Sequence, residues 1–157
     1  MPCSESFLRE AIRLSSEKME AGEGGPFGAV IVQNGKIIGR GWNRVTSAND
    51  PTAHAEIMAI REACSNLKTF SLAGCEIYAS CEPCPMCLAA IYWARLDALY
   101  FAASRAEAAD ADFDDARLYE EIPKPWMHRM LPTEQRLHDE ARKVFDAWKA
   151  KPDKTVY

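Results

Sequence analysis

The chain has 157 residues, a net charge of −4 at neutral pH and no run of about eighteen apolar residues that could span a membrane. Its length suits one compact domain with its own core, and its start lacks the basic end and apolar centre of a secretory signal, so we expect a single cytoplasmic domain over residues 1–157. The acidic balance and the lack of a basic run argue against nucleic acid as a partner and favour a small-molecule substrate.

Hydrophobic periodicity predicts the elements of the first half. Residues 4–21 space their apolar side chains as an amphipathic helix. Two apolar runs then meet at Asn34-Gly35, which predicts a β-hairpin because both turn residues tolerate positive φ. Residues 53–67 have helical spacing, and residues 75–80 form a short apolar run that predicts a strand.

The second half continues the alternation of helix and strand. Residues 85–96 predict a helix with Pro85 at its first position, and residues 98–104 predict another buried strand. Residues 133–150 predict a last amphipathic helix. Helical connections between strands imply some parallel pairing. We therefore expect an α/β fold, a three-layer α/β/α sandwich around a mixed sheet of about five strands.

The stretch CEPCPMC, residues 81–87, contains three of the six cysteines. In a reducing compartment such crowding indicates metal binding or catalysis rather than disulfides. Cys84 and Cys87 are spaced i, i+3 at the start of the helix that Pro85 opens, so both sulfurs face one side. The positive end of the helix favours the thiolate form, which binds zinc.

His54 and Glu56 offer further groups for the same site. Within a helix, residues two apart point in nearly opposite directions, so they can share a site only at a helix end. One histidine and two cysteines make three protein ligands and leave a fourth position for water, as in catalytic zinc sites. A structural zinc with Cys81 as its fourth ligand is the alternative, although a glutamate beside an open zinc has an obvious chemical use.

The remaining cysteines and histidines have no predicted role in the site. Cys81 is interpreted as a small buried residue at the end of a strand. The other cysteines are expected to pack rather than react, and two histidines are expected at the surface. These residues are Cys3, Cys64, Cys75, His128 and His138.

His-Ala-Glu followed by Pro-Cys-Pro-Met-Cys matches the signature of zinc-dependent nucleobase deaminases. In that chemistry zinc-bound hydroxide is the nucleophile, because the metal lowers the pKa of its water towards about 7. Glu56 would act as the proton shuttle, taking a proton from the water, delivering it to a ring nitrogen and helping ammonia depart.

Over nearly its whole length the chain resembles the cytidine deaminase superfamily and, within it, the bacterial guanine deaminases. Four stretches carry the resemblance: GGPFGAVIV, WNRVTSANDPTAHAEIMAIR, SCEPCPMCLAAIYWAR, and FDD followed by LYEEIPKP. The resemblance implies one zinc ion per subunit and hydrolysis of guanine to xanthine and ammonia. Guanosine deamination and tRNA adenosine deamination remain alternatives, as does a non-catalytic zinc-binding module.

The resemblance also implies roles for residues outside the zinc motif. Asp115 is implied to be a second acid, with Asp114 as the competing choice and a solvated acidic loop as the alternative. Substrate contacts are implied at Phe27, Asn43, Ala55, Trp93 and Tyr157. An aromatic face and a carboxamide suit a purine.

Alternative interpretations of these substrate contacts stay open. Phe27 could be a core residue, Asn43 a turn residue and Trp93 a core tryptophan. Tyr157 is the last residue, and the resemblance implies a homodimer in which a segment from about 132 to 157 is exchanged between subunits and covers the partner's site. Termini are normally frayed, which is the competing view.

Overall fold

The structure is a computed structural model that describes residues 3–157. The chain forms two compact units, the first ending at Asp115 and the second running from Ala116 to Tyr157. No helix of the described residues is long and apolar enough to cross a membrane. The single domain and the exchange of residues 132–157 stay predictions.

The first unit contains one sheet with helices before, between and after its strands. In the sheet the strand order is β2-β1-β3-β4. The elements are α1 (Glu5–Glu20), β1 (Gly28–Gln33), β2 (Lys36–Trp42), α2 (Val45–Ala48), α3 (Ala55–Leu67), β3 (Cys75–Cys81), α4 (Pro85–Trp93), β4 (Ala98–Ala103) and α5 (Arg105–Asp110).

The hairpin of β1 and β2 confirms the prediction from the Asn-Gly pair. Asn34 has φ 49° and Gly35 has φ 73°. Positive φ at both turn residues is the requirement of a type I′ turn, whose twist matches that of the flanking strands. The strands pair antiparallel, with Gln33 opposite Lys36.

Helices cover both faces of the sheet, which gives the three layers expected from the sequence. Along β1, Ala29 and Ile31 pack in a core cluster with α3 and α4. Val30 and Val32 point the other way and pack in a second cluster with Leu14 of α1. This alternation of buried apolar residues is that of a strand covered on both faces.

β4 differs from the prediction in its burial. It pairs parallel with β3, as the helical connection through α4 requires. However, its residues are half-buried or exposed, and Phe101 is 43% exposed. β4 ends the sheet among the described residues, so the sheet has four strands rather than about five, and the prediction of a buried strand was wrong.

The second unit consists of α6 (Ala116–Glu121), a 3₁₀ turn at Trp126–His128 and α7 (His138–Ala150). α7 confirms the helix predicted near the C-terminus and begins five residues later than expected. No residue from 116 to 157, all of them described, falls in the buried class. The apolar side chains of α7 are therefore exposed.

Candidate active site

The candidate site lies at one edge of the sheet. β1 runs antiparallel to β2 and β3, and β4 runs parallel to β3. The carboxyl ends of β2, β3 and β4 therefore share this edge with the start of β1. The chain enters or leaves the sheet here at Phe27, Asn43, Glu82 and Ser104. Loops at such an edge bring side chains from distant parts of the chain together.

Two helices begin near this edge with a candidate ligand at each N-cap. His54 occupies the N-cap position of α3 and Cys84 that of α4, both with extended backbone. Pro85 is the first residue of α4, where its missing N–H is not needed. β2 approaches α3 closely, because a Cβ on Gly41 would lie 2.0 Å from the carbonyl oxygen of Ala55. Only glycine permits this spacing, which sets the first turn of α3 against the sheet.

His54, Cys84 and Cys87 bring their ligand atoms together. His54 Nδ1 lies 3.6 Å from Cys84 Sγ and 3.4 Å from Cys87 Sγ. The three atoms lie within 4.8 Å of one another, and within residues 3–157 this is the one such group of three that could hold a metal ion. Tetrahedral zinc, with bonds of about 2.3 Å to sulfur and about 2.0 Å to nitrogen, places these atoms about 3.5 Å apart. The donor set and its spacing fit zinc.

The electrostatics of the three groups also suit a cation. Hydrogen bonds with Cys87 and His54 lower the pKa of the Cys84 thiol to about 4, although burial opposes them. The Cys84 thiolate and burial raise the pKa of Cys87. The same hydrogen bond with Cys84 raises the pKa of His54. A negative charge is therefore concentrated at the sulfur pair, which a divalent cation would neutralise.

Glu56 lies beside this group in the first turn of α3. Its side chain is buried, with 7% exposed, and burial raises the pKa of its carboxyl, as does the charge of Cys84. A hydrogen bond also joins the carboxyl to Cys87. His54 precedes the helix instead of lying inside it, so the two residues can share one site although only two positions separate them. A carboxyl of raised pKa is a better proton acceptor than an ordinary carboxylate and can return the proton afterwards.

Asp115 is the last residue of the first unit and is half-buried, whereas Asp114 is exposed. Burial raises the pKa of Asp115, and the negative charge of Cys84 raises it further. Asp115 therefore interacts electrostatically with the ligand group. The role of Asp115 as a second acid and the alternative of a solvated acidic loop both stay predictions.

Phe27 and Asn43 are linked to each other at the sheet edge. The backbone N–H of Asn43 donates to the Phe27 carbonyl at 3.1 Å, and the Asn43 side chain is buried. The Phe27 ring packs edge-on against Phe113, with centroids 4.9 Å apart. Both rings line a cavity of about 350 Å³ that also includes Cys81 in its wall. None of the three candidate metal ligands lines this cavity.

The other predicted substrate contacts lie in different settings. Ala55 begins α3 and is buried in the core. Trp93 is the last residue of α4 and is 63% exposed, so the interpretation as a core tryptophan was wrong, and its contact with a substrate stays a prediction. Tyr157 belongs to the second unit and is exposed, as His128 and His138 are.

The remaining cysteines lie apart from the ligand group. Cys81 is buried, and its thiol donates to the carbonyl oxygen of Ser104 at 3.6 Å. This position agrees with a small buried residue at a strand end and does not favour a fourth zinc ligand. Cys75 is buried and Cys64 half-buried, as expected, whereas Cys3 is exposed.

Glu82 and Phe113 had no role predicted from the sequence. The Glu82 backbone N–H donates to Ala103, and its carboxylate accepts from the backbone N–H of Arg105. These bonds tie the cysteine loop to the end of β4. Glu82 lies inside CEPCPMC and Phe113 inside FDD, next to the cysteines and aspartates to which roles were assigned.

Comparison with known proteins agrees with this geometry. The family model of the cytidine and deoxycytidylate deaminase zinc-binding region matches residues 1–103. The chain belongs to this family of zinc-binding deaminases.

Individual relatives narrow the similarity. The chain is 52% identical to the guanine deaminase of Bacillus subtilis strain 168 over 153 residues, 98% of each chain. It is also similar to an X-ray structure of guanine deaminase from Bacillus subtilis, with a TM-score of 0.96, 51% identity and 99% of each chain covered. A tRNA-specific adenosine deaminase of Aquifex aeolicus is 46% identical over 99 residues, which cover 63% of this chain and 65% of the relative.

Proposed function

We propose that the chain is a zinc-dependent guanine deaminase, which hydrolyses guanine to xanthine and ammonia. The observation that carries the chemistry is the buried carboxyl of Glu56 beside the converging ligand atoms of His54, Cys84 and Cys87. Similarity to a guanine deaminase over 98% of both chains supports guanine as the substrate.

His54, Cys84 and Cys87 would hold one zinc ion per subunit. When bound, zinc supplies Lewis-acid activation of water at neutral pH. The protein contributes two thiolates and an imidazole at the starts of two helices, where the positive ends of the helix dipoles favour the thiolate form. Three ligands leave one coordination position for a reacting group.

Glu56 would move the protons of the reaction. It takes one from the attacking water and delivers it to the ring nitrogen next to the amino-bearing carbon. It then assists transfer of a proton to the amino group, which leaves as ammonia. Burial suits this work because it raises the pKa of the carboxyl, which makes the carboxylate a better proton acceptor.

Asp115 would be the second acid, since its carboxyl interacts with the charge at Cys84. Phe27 would offer its ring face or edge to the purine, and Asn43 would hydrogen-bond the base. Ala55 would contact the base through the backbone at the start of α3, and Trp93 would contribute apolar surface.

We further infer that the protein is a homodimer in which residues from about 132 to 157 are exchanged. Val144 and Phe145 of α7 are 70% and 67% exposed, and Tyr92 of α4 is 72% exposed. Large exposed apolar side chains of this kind are typical of surfaces that another chain covers. In such a dimer Tyr157 would cover the site of the other subunit.

A tRNA adenosine deaminase is the second candidate, because a relative with that name is 46% identical over 99 residues. The match leaves more than a third of the chain unmatched, and the net charge of −4 is unfavourable for binding a phosphate backbone. Guanosine is the closest competing small substrate, because the same chemistry would act on its base.

The decisive experiment supplies guanine to the purified, zinc-loaded protein and follows xanthine and ammonia together. Stoichiometric release of both, abolished in Glu56→Ala with zinc retained, supports the proposal. Guanosine, cytosine and a tRNA anticodon stem are tested in parallel. Release from one of these without release from guanine would replace the substrate and keep the chemistry. A zinc-loaded protein that acts on none of them would leave a non-catalytic zinc module.

A further inference from the structure

The Asn43 carboxamide is held in one orientation. Its Oδ1 accepts the backbone N–H of Gly25 and that of Val45, each at 3.2 Å. A carboxamide oxygen has two lone pairs, so both are occupied by the protein. The Nδ2 group, a hydrogen-bond donor, is then the part of the side chain that remains to bind a ligand. A ligand that reached this side chain would therefore find a hydrogen-bond donor and no free acceptor, whereas the sequence suggested both.

Glu23 accepts hydrogen bonds from side chains on both sides of Asn43. Its carboxylate accepts the indole N–H of Trp42, the residue before Asn43, at 2.5 Å. Its backbone carbonyl accepts the hydroxyl of Ser47, in the short helix after Asn43, at 2.6 Å. Lys18 adds an ion pair to the same carboxylate at 3.1 Å. Glu23, in the α1–β1 loop, thus forms hydrogen bonds with residues before and after Asn43.

The loop itself lies directly against Asn43. A Cβ on Gly24 would lie 2.1 Å from the Asn43 carbonyl oxygen and 2.7 Å from its Oδ1. Gly25, the next residue, supplies one of the two N–H groups that orient the carboxamide. A shift of Glu23 would therefore move the N–H donor of Gly25 as well as Trp42.

We propose that Glu23 is a positioning residue for base recognition: through Trp42 and the Gly24–Gly25 backbone it holds the Asn43 carboxamide so that Nδ2 donates to an acceptor atom of the purine. This inference rests on the proposed function for the identity of the ligand. Glu23 does not touch the reacting atoms, so its loss weakens binding of the base rather than the chemical step.

The kinetic test uses variants that remove the hydrogen bond between Trp42 and Glu23 from the donor side or from the acceptor side. Glu23→Ala and Trp42→Phe each raise KM for guanine about tenfold, the cost of one misplaced hydrogen bond, and leave kcat within about threefold. Glu23→Gln retains an acceptor for the indole and recovers most of the loss. The double variant is no worse than either single one, because both remove the same contact. Glu20→Ala, on the exposed end of α1, is the matched control and leaves KM unchanged.

A second readout needs no turnover. The side-chain amide signal of Asn43, identified by its absence in Asn43→Asp, is measured by ¹⁵N relaxation in the zinc-loaded protein without substrate. We expect a rigid amide in the wild type and increased ps–ns motion in Glu23→Ala and Trp42→Phe. Zinc content and thermal unfolding are recorded for every variant. Trp42→Phe retains the Glu23 carboxylate, so it still tests the contact if Glu23→Ala does not fold.

The outcomes separate the two proposals. An unchanged Asn43 signal and unchanged KM in a wild type that deaminates guanine would overturn the role of Glu23. A loss confined to kcat or accompanied by loss of zinc would also overturn it, because that is a structural effect on the metal centre. If the wild type does not deaminate guanine, the proposed function fails, and the relaxation data alone decide whether Glu23 orients Asn43.

Discussion

His54 Nδ1 and Cys87 Sγ lie 3.4 Å apart although 33 positions separate the two residues in the chain. They meet because α3 and α4 begin at the same edge of the sheet, with His54 at the N-cap of α3 and Cys87 in the first turn of α4. The position of the ligand group thus depends on how both helices pack on the sheet. Stability of the fold and metal affinity are therefore coupled.

Removing one sulfur should remove the metal. We expect Cys84→Ser and Cys87→Ser to lose zinc and all measurable turnover, because two remaining ligands do not hold zinc tightly. Cys81→Ser is the matched control, since Cys81 donates to a carbonyl group instead of joining the ligands. It should retain zinc at one ion per subunit, measured by elemental analysis. Zinc lost equally from Cys81→Ser would indicate a closed four-ligand structural site.

Glu56→Gln should keep zinc and lose turnover of guanine by about 10²–10⁴-fold, the usual contribution of a general acid–base group. An amide of nearly the same size cannot carry the proton, and the fold keeps its packing. Glu62→Gln, an exposed carboxylate on the same helix, is the control and should stay within about twofold of the wild-type rate. A Glu56→Gln protein with a near-normal rate would remove Glu56 from the proton transfer.

The sequence predicted the elements whose start or turn depends on one or two adjacent residues. Asn34-Gly35 predicted the hairpin because its φ requirements are properties of two adjacent residues. Pro85 predicted the start of α4 in the same way. The order of residues in the zinc motif predicted which side chains would meet, and the structure brings three of them together.

What the sequence could not show depends on distant contacts. The apolar composition of residues 98–103 does not reveal that β4 lies at the edge of the described sheet and is half-exposed. The bond of Glu23 to Trp42 joins residues 19 positions apart and leaves no local pattern. The helix α5 is a different case. Ser104 and Glu107 form a capping box, a local signal for a helix start that the prediction did not use.

Asp115→Asn should reduce kcat for guanine by about ten- to a hundredfold if Asp115 is the second acid. The substitution removes the ionisable group and retains the size of the side chain. Asp114→Asn is the matched control, because it changes the neighbouring, exposed carboxylate in the same way. Rates are compared after both proteins are shown to contain one zinc ion. Equal rates for the two variants, or a larger loss at Asp114, would contradict the assignment.

Glu10 should stabilise the first unit in a pH-dependent way. Hydrogen bonds from Arg13 and Arg40 lower the pKa of Glu10 from 4.5 to about 2, and Arg40 joins α1 to β2 at 3.0 Å. A lowered pKa in the folded state stabilises the protein above the unfolded-state pKa, and this contribution is lost as pH falls towards about 2.

Glu10→Gln is therefore expected to cost about 1–2 kcal/mol of unfolding free energy at pH 7. The difference from wild type should shrink below about pH 4.5 and vanish near pH 2. This difference in unfolding free energy is measured by urea unfolding at several pH values. A chelator is present throughout, so that loss of zinc does not contribute. Glu5→Gln, an exposed acid on the same helix, should show little change at any pH. A difference that grew on acidification would have the wrong sign.

Deletion of residues 152–157 should reduce guanine turnover about tenfold or more while the fold and the zinc content stay intact, because the tail is proposed to cover the site. Tyr157→Phe tests the hydroxyl alone. Unchanged kinetics in the deletion variant would show that the tail is not a cover for the site.

Mixing the deletion variant with Glu56→Ala decides whether the tail acts across subunits. In a mixed dimer with exchanged tails, the subunit that keeps Glu56 receives the intact tail of its Glu56→Ala partner. Activity should therefore appear on mixing two proteins that are each impaired, after refolding together to allow exchange of subunits. If the tail serves its own subunit, no mixed site has both Glu56 and a tail, and mixing restores nothing. Size-exclusion chromatography of the mixture confirms that dimers have formed.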